Sequence, residues 1–197
     1  MITYFSDQRD PRYGQKLVHQ TSKDLLTWSA PVDDVVSGRY TDRPGMTTVT
    51  QLPNGKYMMT FEFGGGPLLS GSTVYEFPVY FKINDSPLLF NASTPYPVYT
   101  AGGVQPDGSP YITWTPVGGE NGTILVSSGG ATAVYYNQAL GAGPWSSFEP
   151  ANMTVSYSRH LRVLSNWNHL LIAGAGILPP APDNKVRVGV YDIAASL

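Results

Sequence analysis

Residues 21–28, TSKDLLTW, follow one apolar run and close on a tryptophan. Two later segments are built the same way: KINDSPLLF (82–90) ends on Phe90, and YYNQALGAGPW (135–145) ends on Trp145. Each comes after a stretch of strand character and ends on an aromatic residue. Ser22 and Asp24 with Thr27 and Trp28 have the form of a shortened Asp-box, in which side-chain oxygens hold a tight turn and the aromatic packs between layers. A unit recurring in this way signals a repeat architecture.

Between the repeats, short apolar or alternating runs are separated by turn sequences. The runs are Ile2–Phe5, Gln15–Gln20, Met46–Gln51, Tyr57–Phe63, Val74–Ile83, Tyr111–Pro116, Thr123–Ser127, Ala133–Asn137, Leu161–Leu164, His169–Ala173 and Val186–Asp192. They are divided by PNG (53–55), PDG (106–108), ENG (120–122), ALGAG (139–143) and PDN (182–184), residues that supply fixed or positive φ and local side-chain acceptors. Helical periodicity is nearly absent, and 17–28 is too rich in Thr and Ser for a good helix. The class is all-β. The order of strand, turn and aromatic predicts a β-propeller of four-stranded antiparallel blades in one domain over 1–197, with blades at about 45–90, 105–145 and 157–192. Residues 2–28 are expected to supply the last two strands of a preceding blade. Because a propeller closes with about four to eight blades, this arrangement is incomplete, and its open edges invite self-association.

Charge excludes several partners. Twelve Lys and Arg against fourteen Asp and Glu give a net charge of −2. No basic run is present, which argues against nucleic acid or an anionic membrane. No apolar run approaches the length of a membrane span. The 13 Tyr, 7 Phe and 4 Trp suit stacking on sugar rings, and equally suit an ordinary β core. Cysteine is absent, so there is no disulfide framework and no thiolate metal site. Sequons at Asn84, Asn91, Asn121 and Asn152 point to an extracellular glycoprotein, although MITYFSDQRD carries no signal peptide.

The chemistry left to such a chain is that of its carboxylates. No G-x-S-x-G elbow surrounds Ser70, no paired-histidine zinc motif links His19, His160 and His169, and the runs GGG (64–66) and SSGG (127–130) do not open a helix. His19 and His169 read as structural. No metal or cofactor is expected. Of the four glutamates, Glu120 and Glu149 lie in polar loops and Glu76 falls mid-strand in STVYEFPVYF. Glu62 stands at the end of KYMMTFEF, before GGG. Alternation sets it on the face of Met58 and Thr60, opposite Tyr57, Met59, Phe61 and Phe63. Partial burial would raise its pKa and the glycines would clear a space beside it, as a general acid requires. A solvated glutamate at a strand end would fit the same pattern. In YSRHLRVL (157–164), Tyr157, Arg159 and Leu161 share a face. Tyr157 and Arg159 could orient a sugar, or Arg159 could pair with a buried acid. In YTDRPGMTTV (40–49), Asp42 and Arg43 stand at the entrance of the strand pair carrying Glu62.

Taken together, SDQRDPRYGQKLVHQTSKDLLTW, YTDRPGMTTVTQLPNGKYMMTFEF and YSRHLRVL resemble the fungal exo-arabinanases of glycoside hydrolase family 93, over essentially the whole chain. The resemblance implies about three and a half blades of a six-bladed, sialidase-like propeller. It implies release of arabinobiose from α-1,5-linked L-arabinan or arabino-oligosaccharides, with retention, in a secreted enzyme. Glu62 matches the family's acid/base and Tyr157 the tyrosine beside the catalytic carboxylates, while Asp7, Arg9, Asp42 and Arg43 fall in segments near the site. The family's second catalytic glutamate lies upstream of the strand that matches Tyr4–Ser6, so impaired hydrolysis is expected of this chain. A carbohydrate-binding or structural propeller without turnover is the alternative.

Overall fold

A computed structural model of the chain describes residues 1–67, 76–153, 155–175 and 186–197. Fourteen strands among them form four antiparallel sheets that follow one another in chain order. The first contains β1 (Ile2–Asp7), β2 (Lys16–Thr21) and β3 (Val32–Val35). The second contains β4 (Arg43–Gln51), β5 (Tyr57–Gly64), β6 (Val79–Asn84) and β7 (Tyr96–Pro97). The third contains β8 (Tyr111–Thr115), β9 (Thr123–Ser127), β10 (Val134–Asn137) and β11 (Ser146–Phe148). The fourth contains β12 (Ser158–Val163), β13 (His169–Ala175) and β14 (Arg187–Asp192). Within each sheet every strand pairs with the next. The first strands lie side by side from sheet to sheet, β1 against β4, β4 against β8 and β8 against β12. Meandering sheets joined along their innermost strands are the blades of a β-propeller.

The cores sit between blades, as this geometry demands. Leu17, Val35, Met59, Phe61, Phe63, Tyr80 and Phe90 pack between the first two sheets. Met58, Val79, Phe81, Ile112, Ile124, Val126 and Trp145 pack between the second and third, and Leu125, Val134, Leu161, Leu170 and Ile172 between the third and fourth. A middle strand such as β5 is therefore apolar on both faces. Hydroxyls tie neighbouring sheets together: Ile112 N–H donates to Thr48 Oγ1 at 3.0 Å, and Ser127 Oγ donates to the Arg159 carbonyl at 3.2 Å.

The repeated turn is held as its side chains require. Ser22 Oγ accepts from the N–H groups of Asp24 and Leu25, and Asp24 Oδ1 from those of Leu26 and Thr27. Asn84 Oδ1 accepts from Ser86, and Asn137 Oδ1 from Ala139 and Gly141. Phe90 and Trp145 are buried between blades, whereas Trp28 is half-buried and lines an outer groove with Leu88.

Two expectations need correction. The first sheet has three strands and reaches Val35, beyond the two strands over 2–28. Residues 32–35, VDDV, carry no apolar alternation because two carboxylates hold them. Asp33 lies 2.7 Å from Lys16 Nζ, and Asp34 lies 2.9 Å from His19 Nδ1. Secondly, the strand expected over 74–83 is seen from Val79, with Glu76 exposed in a bend before it. Residues 74 and 75, Ser70 and the turn at 182–184 lie outside the described residues.

Candidate active site

The hairpin that carries Glu62 is shaped by LPNG. Gly55 takes φ 83°, and Leu52 N–H donates to the Lys56 carbonyl at 2.8 Å, which turns β4 into β5. At the far end of the pair, Glu62 stands opposite Gly45 on one side and Val79 on the other. The β4 ladder slips between Gly45 and Thr48, and Met46 there takes φ 48°. Thr47 Oγ1 closes the gap by donating to the Thr60 carbonyl at 2.8 Å. Ser109, at φ 38°, aims its backbone N–H at Glu62 Oε2, 2.7 Å away. Left-handed backbone at non-glycine residues costs of order 1–3 kcal/mol each and clusters where a site needs an unusual direction. Met46 lies one residue beyond the glycine that faces Glu62, and Ser109 bonds Glu62 directly.

Glu62 lines a cavity of about 420 Å³ with Arg43, Phe77, Asp107, Ser109 and Tyr157. Gly108 lines the space beside Glu62, a Cβ there standing 3.8 Å from Oε2, while Gly45 opposite Glu62 is required by Gln15, whose Nε2 a Cβ would meet at 2.6 Å. The three glycines at 64–66 do not clear this space, contrary to expectation. A Cβ on Gly64 would strike the Phe77 ring, one on Gly65 Asp42 Oδ1, and one on Gly66 the Phe63 ring, so each is consumed by packing.

Burial is the main cause of a Glu62 pKa above the usual carboxylate value. The Ser109 N–H and the Arg43 charge pull it down, and the Asp107 charge pushes it up. Asp107 is raised as well, chiefly by burial. Its Oδ1 accepts from Phe77 N–H at 2.8 Å. Arg43 is exposed and makes no hydrogen bond or ion pair among the described residues. Tyr157 is 46% exposed at the cavity rim. It precedes β12 and is exposed, whereas Arg159 and Leu161 within that strand are buried. The arrangement sets one carboxyl of raised pKa beside a guanidinium that is unpaired among the described residues and a phenol, which suits protonation of a bound oxygen.

The remaining sequence candidates do not line this cavity. Asp7 is buried and held by Arg9, whose Nε and Nη2 lie 2.8 and 3.1 Å from its oxygens. That bonding keeps the Asp7 carboxyl below its usual range. Asp42 is buried beneath Gly65 and meets Ser37 Oγ at 2.5 Å and Arg39 Nη2 at 2.9 Å. It holds Arg39, whose Nη2 donates to the Gly65 carbonyl in the glycine loop after Glu62. Arg159, 1% exposed, spends its fork on two carbonyls, Nη1 on Thr132 O and Nη2 on Ser128 O, both at 2.6 Å. No acid pairs with it among the described residues, and its side chain is not presented for a sugar to grip. His19 is structural, bonded through Nδ1 to Asp34. Sequence reasoning missed Asp107, because PDG is fully explained as a turn. The signal available was a second acid within a strand connection of a chain poor in charge.

A second cavity of about 290 Å³ adjoins the first at Ser109 and is lined by all four inner strands, including Ser6, Thr48, Tyr111 and Ser158. Its hydroxyls face the axis. His160 lies against Tyr111, ring centroids 4.3 Å apart.

No protein-family model and no curated protein matches the sequence. Solved structures do. The α-L-arabinofuranosidase of Fusarium graminearum in complex with an iminosugar inhibitor superposes with a TM-score of 0.92 at 43% identity, over 99% of this chain and 55% of that one. The GH93 α-L-arabinofuranosidase of the same fungus with arabinobiose gives 0.92 and 43% over the same shares. The α-L-arabinanase of Penicillium chrysogenum with arabinobiose gives 0.91 and 42%, over 100% of this chain and 55% of that one. The chain thus spans a little over half the length of these relatives.

Proposed function

The chain belongs to the GH93 glycoside hydrolases, and on that premise we propose that its Glu62 cavity receives α-1,5-linked L-arabinan or arabino-oligosaccharides. Glu62 is the acid/base of an exo-acting, retaining arabinanase reaction. Its carboxyl proton passes to the glycosidic oxygen as the bond to the anomeric carbon breaks and a second carboxylate, supplied from outside the described residues, bonds to that carbon, to be displaced later by water. The resulting carboxylate then takes a proton from the attacking water. Arg43 and Tyr157, at the same cavity, orient the sugar. The observation that carries this reading is the half-buried Glu62 carboxyl, gripped by one backbone N–H and raised in pKa, at the wall of a sugar-sized cavity.

Retention needs a second carboxylate at roughly 5–5.5 Å. Among the described residues Asp107 is the other carboxyl lining the cavity, and its Oδ1 is engaged by Phe77 N–H. That observation favours a second reading, binding of arabino-oligosaccharide with weak or no turnover by this chain alone. Incubation with linear arabinan tests both. Arabinobiose release abolished by Glu62→Gln supports the catalytic reading, and calorimetric binding without release supports the second. Release that survives Glu62→Gln sinks the acid/base role.

An extracellular setting belongs to the same proposal. Asn91 and Asn152 are exposed and support it. Asn84 does not, because its Nδ2 is bonded to Leu89 O and Ser93 Oγ. Self-association is supported by the exposed Val188 and Val190 on β14.

A further inference from the structure

The turn at 106–109 is bonded on both sides to an extent that a simple connection does not need. Toward the second sheet, Val79 N–H donates to Pro106 O at 2.9 Å, and Gly108 N–H to Phe77 O at 2.8 Å. Toward the third, Gly129 N–H donates to Gly108 O at 2.9 Å, and Gly130 N–H to Asp107 O at 2.8 Å. The fit is close on that side: a Cβ on Gly130 would stand 3.0 Å from Asp107 O. Within this lattice Asp107 turns its side chain toward the second sheet, where Oδ1 meets Phe77 N–H. Two residues on, Ser109 presents its N–H to Glu62.

An uncharged acceptor would satisfy Phe77 equally well. Retaining a carboxylate in a half-buried position costs desolvation free energy that a turn alone does not justify. Among the described residues Asp107 and Glu62 are the two carboxyl groups of one cavity. We propose that Asp107 is a positioning residue for Glu62, acting through the bonded 106–109 turn and through its own negative charge. This rests on the reading of Glu62 as the proton donor.

The two contributions are distinct. The turn fixes where the Ser109 N–H points, and so which Glu62 oxygen is held and which is left for a substrate oxygen. The charge opposes ionisation of Glu62 against Arg43, the cation that faces the cavity from β4. Tyr157 faces it from the segment before β12. Glu76, before β6, acts on Asp107. Like charges sharing a site ionise in coupled steps, so the effect must be mutual.

Carboxyl ¹³C NMR titration of the full chain tests this without any hydrolysis assay, Glu62 being assigned from its loss in Glu62→Gln. Asp107→Asn keeps an acceptor for Phe77 and removes the charge. The Glu62 midpoint is expected to fall while the Ser109 amide resonance stays in place. Asp107→Ala removes both and is expected to move the Ser109 amide as well. Should Asp107→Ala fail to fold, the reciprocal variant decides: in Glu62→Gln the Asp107 midpoint falls. An unmoved Glu62 midpoint in Asp107→Asn, or an unmoved Asp107 midpoint in Glu62→Gln, overturns the proposal. A Glu62→Gln variant that still cleaves arabinan refutes the proton-donor role and leaves the titration result standing.

Discussion

Replacing Arg159 with lysine keeps the charge and loses the fork. In the structure one planar guanidinium spans two backbone carbonyls, Thr132 O and Ser128 O, each at 2.6 Å, inside a shell that leaves the residue 1% exposed. A lysine ammonium has three donors, but on one compact head at a shorter reach, so it cannot stand where both Nη1 and Nη2 now stand and reproduce the two separate contacts. The orphaned carbonyl stays buried, at a cost of about 1–3 kcal/mol. Burial already lowers the Arg159 pKa and the Glu149 charge offsets it only in part, so the environment holds a lysine charge poorly. Gly174 opposite has a position where a Cβ would come within 3.2 Å of Arg159 Cγ, which leaves little room for the shorter chain to slide. The expected loss is therefore about 1–3 kcal/mol, read as a lower urea midpoint with an unchanged m-value. The carbonyls belong to the stretch whose Gly129 and Gly130 N–H groups hold the 106–109 turn, so the Ser109 amide resonance should move too. A stability loss below about 0.5 kcal/mol, the range of an ordinary surface substitution, would refute the reasoning.

Three further outcomes follow from the same geometry. Glu62→Gln should stabilise the chain at neutral pH. The native state raises the Glu62 pKa, so wild-type stability from this group is present at low pH and is lost as pH rises through the folded value. The gain of Glu62→Gln should shrink toward acid, and a gain that grows instead contradicts it. Gly45→Ala places a methyl 2.6 Å from Gln15 Nε2 and 3.5 Å from Glu62 Oε1. It should cost about 1–3 kcal/mol in thermal or urea unfolding and weaken arabino-oligosaccharide binding measured by calorimetry. His19→Ala strips the partner from Asp34, whose pKa burial already raises. The buried carboxyl should cost about 3–5 kcal/mol, and unaltered unfolding would show that Asp34 does not depend on His19.

The sequence was most legible where one residue type does one local job. Ser22 and Asp24 had to hold a tight turn through their side-chain oxygens, and both do. The alternation of KYMMTFEF set Glu62 on the Met58 face, where it lies half-buried. It was least legible where a residue's role depends on a neighbour distant along the chain. VDDV (32–35) becomes a strand because Lys16 and His19 meet its carboxylates, and no periodicity within four residues can report that. GGG (64–66) looked like open space, yet its neighbours are Phe77, Asp42 and Phe63. Arg159 and Arg43 read alike in one dimension. The first is sealed among carbonyls, and the second lines the cavity with no side-chain partner among the described residues.

The same contrast shows how the site is built. Of the groups at the cavity surface, Arg43 and Glu62 belong to one hairpin of the second sheet, Ser109 precedes the third and Tyr157 the fourth, so the spacing of the whole set is not fixed within that hairpin alone. It is set by connections that cross blades: Gln15 to Pro44 between the first and second, the 106–109 turn between the second and third, and Ser127 to the Arg159 carbonyl between the third and fourth. Most of these end on backbone carbonyls, which side-chain substitution cannot remove. A change at one crossing therefore displaces a whole segment and not a single side chain. Glu62 should accordingly be more sensitive to Arg159, which never touches it, than to Tyr157 across the cavity.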